Sequence, residues 1–185
     1  MPMASDYPAV HSDIETRLKT YIRDVPDFPE PGILFRDITP LLGDAAALRL
    51  SIDALTEPFR GLQIDHIVGI ESRGFLFGIP MAYLLNIGFI PVRKQGKLPG
   101  KTIAVEYSLE YGKNVMEVHA DAVQPGQRVV IVDDLLATGG TAAASIKLME
   151  QIGAQVVGLA FAIELTALNG RELLGDHAFH ILMRY

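Results

Sequence analysis

The run VVIVDDLLATGGT, residues 129–141, constrains the fold more than any other part of the chain. Four β-branched apolar residues lead straight into two adjacent carboxylates, Asp133 and Asp134, and then into a turn of small residues. A short apolar run of this kind is what a strand buried on both faces of a parallel sheet looks like. The carboxylates and glycines mark where it surfaces at its carboxyl end. In open α/β sheets that edge is where ligands bind.

The rest of the chain alternates in a compatible way. Ile14, Leu18, Tyr21 and Ile22 have helical spacing from Ser12 onward, and three prolines between residues 24 and 31 then predict an irregular segment. Asp44 opens a second helix carrying Leu48, Ile52, Leu55 and Phe59, which Gly61 can close. HIVGI (66–70) reads as a buried strand, residues 74–86 as an apolar helix and residues 89–92 as the next strand, a β-α-β unit. RKQGKLPGKT (93–102) is a basic loop without periodicity, expected to be mobile. Residues 103–107 and 115–119 alternate on either side of SLEYGKN, which predicts a hairpin. A helix over residues 141–152, capped by Gly153, and a strand over residues 156–165 complete the pattern. The expected fold is α/β: one domain over residues 1–185, with a mainly parallel doubly wound sheet flanked by helices and the hairpin added antiparallel.

With 185 residues, 49 % of them apolar, the chain can bury a substantial core. It has no cysteine, so neither disulfides nor thiolate metal sites are available, as suits a reducing cytosol. The start, MPMASDYPAVHSDIE, lacks the basic and apolar regions of a secretory leader, and no apolar run is long enough to cross a bilayer. The expectation is a soluble, cytoplasmic protein with no membrane partner. A net charge of −6 argues against broad nucleic-acid binding. It leaves open an anionic small molecule held by a few local cations.

Ala137, Thr138, Gly139, Gly140 and Thr141 lie between a strand and a helix, where backbone N–H groups and the helix N-terminus converge on one anion. The glycines allow close approach of the main chain, and the threonines add hydroxyl donors. Two carboxylates beside a phosphate cup make sense if they face something else. A ribose whose 5′-phosphate fills the cup offers its vicinal hydroxyls as donors, and positive charge developing at C1′ would be stabilised by the same anions. The plainer alternative is a strand, turn and helix in which the aspartates only form the turn and cap.

The run resembles the phosphoribosyl pyrophosphate (PRPP) signature of the type I phosphoribosyltransferases. PEPGILFRDI (29–38), ESRGFLFG (71–78), RKQGKLPG (93–100) and YSLEYG (107–112) resemble the adenine phosphoribosyltransferase family at corresponding places. The resemblance implies a purine-salvage reaction in which adenine and PRPP give AMP and pyrophosphate. It implies that Asp133 and Asp134 bind ribose at the reacting carbon, that residues 137–141 bind the 5′-phosphate, and that Glu71, Ser72, Arg73 and Gly74 with Arg93, Lys94 and Lys97 take the pyrophosphate. Glu110 corresponds to the acid/base partner of the purine imidazole ring, and Tyr111 to a residue that packs near the site on loop closure. Leu34, Phe35 and Arg36 correspond to the segment that reads the adenine edge in a small N-terminal hood over about residues 1–40, and Leu165 to a further wall of the base pocket. The family pattern also implies a homodimer and Mg²⁺ that arrives on PRPP oxygens, since the five histidines show no metal-ligand spacing.

Three other readings compete. GKT at residues 100–102 suggests a P-loop, but the first glycine of that motif would fall on Gln95 and an alternating strand follows. An enzyme for hypoxanthine, guanine or xanthine is opposed by FRDI and SLEYG. A regulator that only senses PRPP would leave the basic loop and Glu110 without a purpose.

Overall fold

The computed structural model describes residues 6–8, 10, 12–108 and 113–185. Glu110 and Tyr111 lie outside the described residues. Nine strands and five α-helices are present among those described: α1 (Ser12–Lys19), β1 (Arg23–Pro26), β2 (Leu34–Asp37), α2 (Thr39–Gly43), α3 (Ala45–Thr56), β3 (His66–Ile70), α4 (Gly74–Leu85), β4 (Gly88–Lys94), β5 (Thr102–Ser108), β6 (Lys113–His119), β7 (Arg128–Leu136), α5 (Gly140–Gln151), β8 (Gln155–Glu164) and β9 (Phe179–Arg184).

Seven strands form one sheet in the order β5-β6-β4-β3-β7-β8-β9. The pairs β4/β3, β3/β7, β7/β8 and β8/β9 are parallel, whereas β5 and β6 join antiparallel, as the hairpin reading requires. The direction of winding reverses between β3 and β7. From β3 the chain runs through α4 to β4 on one side, and from β7 through α5 to β8 on the other. Alternation along β7 sends Val129 and Ile131 to the core under α5 and Val130 and Val132 to the core shared by α1, α3 and α4. The two helical layers therefore cover opposite faces, and a crevice opens at the carboxyl ends of β3 and β7, where strand order changes hand.

Three parts of the fold depart from the sequence expectation. The segment read as irregular around residues 24–31 contains β1 and leads to its antiparallel partner β2. Arg23 pairs with Asp37 at 2.5 Å and Arg36 with Asp24 across this ribbon, and Pro26 closes the end of an edge strand, where its missing N–H costs no ladder bond. The short helix α2 and the strand β9 were not anticipated; β9 is buried along almost its whole length between β8 and helices α1 and α3. Strand β7 continues through both aspartates to Leu136 instead of ending before them, and β4 runs on through Arg93 and Lys94, the first two residues of the expected loop. The start of α3 follows the expected rule: the Asp44 carboxylate accepts from Ala46 N at 3.0 Å and Ala47 N at 2.8 Å.

On β9, His180 is buried with Nε2 2.9 Å from the Ala54 carbonyl oxygen of α3, and its burial lowers the imidazole pKa. A histidine kept neutral by the fold takes up its proton only on unfolding, so the unfolded state binds more protons as pH falls below about 6.5. Urea denaturation should show stability falling on acidification from there by up to about 1.4 kcal/mol per pH unit. A His180→Gln variant should lack that component; the same slope in both proteins would clear His180 of the effect.

Candidate active site

The site follows from a difference in strand length. Pairing of β3 with β7 stops at Gly69↔Val132, while β7 stays paired to β8 as far as Leu136↔Glu164. Asp133 and Asp134 therefore project beyond the last paired residues of β3. Helix α4 starts tightly against them. A Cβ on Gly74 would lie 2.6 Å from the Val132 carbonyl oxygen and 3.1 Å from Asp133 Oδ1, so glycine is what lets the helix N-terminus sit on β7.

The two carboxylates lie within hydrogen-bonding reach of each other and both line one polar cleft. Asp134 is 5 % exposed and accepts from Arg73 Nε at 2.6 Å. Asp133 accepts from the Asp134 backbone N–H at 2.9 Å, with the start of α4 against its Oδ1. Burial pushes the Asp133 carboxyl well above the usual carboxylate range, and the neighbouring charge of Asp134 pushes it further. The pair thus holds one carboxylate matched by a guanidinium and one that is poised to gain a cationic or hydrogen-bond-donating ligand.

Residues 137–141 form a concave turn into α5. Gly139 has φ +85°, and a Cβ there would overlap the Gly170 carbonyl oxygen; a Cβ on Gly170 would overlap the Ala137 carbonyl oxygen. Gly139 and Gly170, from segments far apart in the sequence, thus fix the height of this loop by direct contact of main chains. Among the described residues no protein acceptor meets the N–H groups of Thr138, Gly139, Gly140 and Thr141, and the first turn of α5 carries no acidic side chain. Free donors at a helix N-terminus make an anion site.

Of the residues after β3 and around the end of β4 that were expected to take the pyrophosphate, Glu71, Arg93, Lys94 and Lys97 play different parts. The Glu71 carboxylate accepts from Arg93 Nε and Nη2, both at 3.2 Å, and from Lys94 N at 2.9 Å. Burial raises the Glu71 pKa, but these bonds outweigh it and leave the carboxyl below its usual value. Arg93 also donates from Nη1 to the Lys97 carbonyl at 3.0 Å, so it braces the turn after β4. The buried Glu117 of β6 receives Lys97 N at 3.0 Å and Leu98 N at 2.9 Å. Lys94 is the cation of this loop that lines the cleft, together with Ser72, Arg73, Asp133 and residues 137–141 around about 440 Å³.

A second, mostly apolar cleft of about 600 Å³ lies under the β1/β2 ribbon and is walled by Phe28, Phe35, Ile38, Leu42 and Leu76. It meets the first cleft at Arg73 and Asp134, which line both. Arg73 lies over the Phe35 ring at 5.8 Å, and Arg36, held by Asp24, lies over the Tyr185 ring at 4.1 Å. Phe35 and Arg36, two residues of the segment expected to read the base, line this second cleft. Leu34 is 45 % exposed at the ribbon's turn and does not line the cleft, and Leu165 packs against the core under α3 and α4. Sequence reasoning did not single out Tyr107, Asn114 and Met116, which line the polar cleft from the hairpin, or Gly170 and Glu117, which support its loops. The one local signal was the odd-residue alternation of β5, which places Tyr107 on the same face as Val105.

A phosphoribosyl transferase domain model matches residues 44–178. The adenine phosphoribosyltransferase of Synechocystis sp. is 58 % identical over 170 residues, 91 % of this chain and 99 % of that protein, and that of Clostridium perfringens is 58 % identical over 168 residues, 91 % of this chain and 98 % of that one. The crystal structure of the adenine phosphoribosyltransferase from Rhodothermus marinus matches with a TM-score of 0.90 and 53 % identity, covering 95 % of this chain and all of that one. The Saccharomyces cerevisiae enzyme, complexed with an imino-altritol bisphosphate and adenine, matches with a TM-score of 0.88 and 42 % identity over 93 % of this chain and 99 % of that one. With its strand-end carboxylates, its anion loop and these likenesses together, the chain belongs to the adenine phosphoribosyltransferase family.

Proposed function

We propose that the chain performs its family's reaction across the junction of the two clefts. Adenine N9 forms a bond to C1′ of PRPP while the bond from C1′ to the pyrophosphate oxygen breaks, giving AMP and pyrophosphate; the N9 proton leaves adenine. The observation that carries this reading is the meeting of an anion cleft and an apolar cleft at Arg73 and Asp134. One ligand can then place its phosphate on residues 137–141 and its ribose over Asp133 and Asp134, with C1′ facing the apolar cleft.

In that arrangement Thr138, Gly139, Gly140 and Thr141 donate to the 5′-phosphate, at roughly 1.5–3 kcal/mol for each bond to a charged oxygen. Asp133 and Asp134 accept from the ribose hydroxyls and stabilise positive charge as it develops on the ring. Lys94 and Arg73 offer cations to the departing pyrophosphate, while Ser72 and Gly74 supply the loop and helix start beside them. Glu71 serves by fixing Arg93 and the backbone of Lys94, and Arg93 and Lys97 by shaping the turn. Phe35 and Arg36 flank the base. Glu110 as the proton partner of the imidazole ring and Tyr111 as a closing residue rest on the family resemblance.

Mg²⁺ bound to PRPP would neutralise the pyrophosphate charge. Asp134 and Glu71 are matched by Arg73 and Arg93, and no group of three metal-ligating side chains occurs among the described residues. Such an ion would be held mainly by its substrate and water, with Asp133 a carboxylate of the polar cleft that would face it. Among the described residues no helix is long and apolar enough to cross a membrane.

The homodimer has support on α4. Leu76, Ile79 and Tyr83 are 44 %, 52 % and 84 % exposed and recur at three- and four-residue spacing on one helical face. Light scattering should give twice the chain mass for the wild type and a shift toward single chains for Ile79→Asp with Tyr83→Asp; an unshifted dimer would place the interface elsewhere.

The reaction is tested by supplying PRPP and Mg²⁺ with adenine, hypoxanthine, guanine or xanthine separately and following pyrophosphate release. Release with adenine alone is the expected result. Release with none of them, despite PRPP binding, would favour a sensor.

A further inference from the structure

Strand β5 sends Ile103, Val105 and Tyr107 to the face covered by α5. Tyr107 comes last on that face, and its hydroxyl lies 3.0 Å from Thr141 Oγ1 in the first turn of α5. Asn114, its ladder partner on β6, lines the cleft beside it. A residue of the hairpin thus touches a hydroxyl of the anion loop thirty-four positions away, and neither the family reading nor the local sequence gave Tyr107 a task.

The direction of this bond decides what it does. A threonine hydroxyl has one proton and two lone pairs, and a tyrosine hydroxyl can donate or accept. A phosphate oxygen lacking a proton only accepts. If Thr141 gave its proton to Tyr107, it would turn a lone pair toward the bound anion, which is repulsive. If Tyr107 donates, the Thr141 proton is free to point into the loop, and the two bonds polarise each other in the same sense. We propose that Tyr107 is a positioning residue for the 5′-phosphate: its O–H donates to Thr141 Oγ1 and thereby aims the Thr141 proton at a phosphate oxygen.

The proposal rests on residues 137–141 being the 5′-phosphate site, and the test separates the two. Tyr107→Phe keeps the ring and its packing and removes only the hydroxyl. Calorimetry at 25 °C with ribose 5-phosphate as probe should show binding weakened about tenfold, the equivalent of one hydrogen bond to a charged acceptor, with KM for PRPP rising similarly. Binding of pyrophosphate should not change. Thr141→Val should weaken ribose 5-phosphate at least as much, and Tyr107→Phe added to Thr141→Val should cost nothing further, because the hydroxyl it directs is gone. Wild-type binding by Tyr107→Phe overturns the proposal. So does a further tenfold loss in the double variant, which would mean that Tyr107 acts on the ligand without Thr141, or an equal loss for pyrophosphate, which would mean a general disturbance. A wild-type protein that turns over PRPP yet fails Tyr107→Phe as described sinks the relay alone; one that does not bind ribose 5-phosphate sinks the site with it.

Discussion

Gly139→Ala is expected to lower kcat/KM for PRPP by about 10²- to 10⁴-fold, corresponding to two lost hydrogen bonds to charged phosphate oxygens. Two separate constraints act on this residue. Its φ of +85° is one that side chains rarely adopt, and a methyl group there would overlap the Gly170 carbonyl oxygen. The first constraint costs about 1–3 kcal/mol of stability, and the second forces the loop away from the segment that sets its height. Gly126→Ala distinguishes the two, because Gly126 has φ +87° in the turn before β7 with nothing within 4 Å of its added Cβ. It should lose stability without losing kcat/KM. Gly170→Ala approaches the same contact from the other side, against the Ala137 carbonyl oxygen, and should resemble Gly139→Ala in steady-state kinetics. Wild-type kinetics in Gly139→Ala would show that the loop holds no essential anion.

Asp134→Asn should reduce kcat/KM by about 10²- to 10³-fold with a different signature, raising KM for both adenine and PRPP while lowering kcat. Asp134 is buried and bonded to Arg73 at 2.6 Å, and these two residues line both clefts. Removing the charge frees the guanidinium to swing from the junction and takes an anion from beside C1′. Stability should change by less than about 1 kcal/mol, since the Arg73 side chain is 46 % exposed and its charge is largely screened by water. A variant that loses PRPP affinity but keeps wild-type KM for adenine would contradict the shared role of the pair, and one that behaves as wild type in every respect would remove Asp134 from the chemistry.

The parallel strands and their helices were legible because each carries a signal within a dozen residues. HIVGI and VVIVDD are too apolar and too short for anything but buried strands, and Asp44 capped α3 as read. The β1/β2 ribbon was hidden because its prolines suggested an irregular segment, while the Arg23–Asp37 and Arg36–Asp24 ion pairs that span it become neighbours only after the chain turns. The site was half legible for the same reason. Residues 137–141 and the two aspartates are contiguous, so their chemistry shows in the sequence. Arg93 read as a free cation, because nothing local shows that Glu71, about twenty residues away, engages its side chain. Gly170 and Tyr107 matter through contacts with residues about thirty positions distant, which no motif encodes.

In the proposed reaction one ligand joins the two clefts, with its phosphate on residues 137–141 and its base beside Phe35. Titration calorimetry of the wild-type protein with AMP and with adenosine reads out this arrangement, because the two differ only in the 5′-phosphate. AMP should bind at least about 100-fold more tightly, reflecting several charge-assisted bonds, and Gly139→Ala should erase most of that difference. Equal affinity for AMP and adenosine would contradict the account, since the loop would then contribute nothing to holding the phosphate.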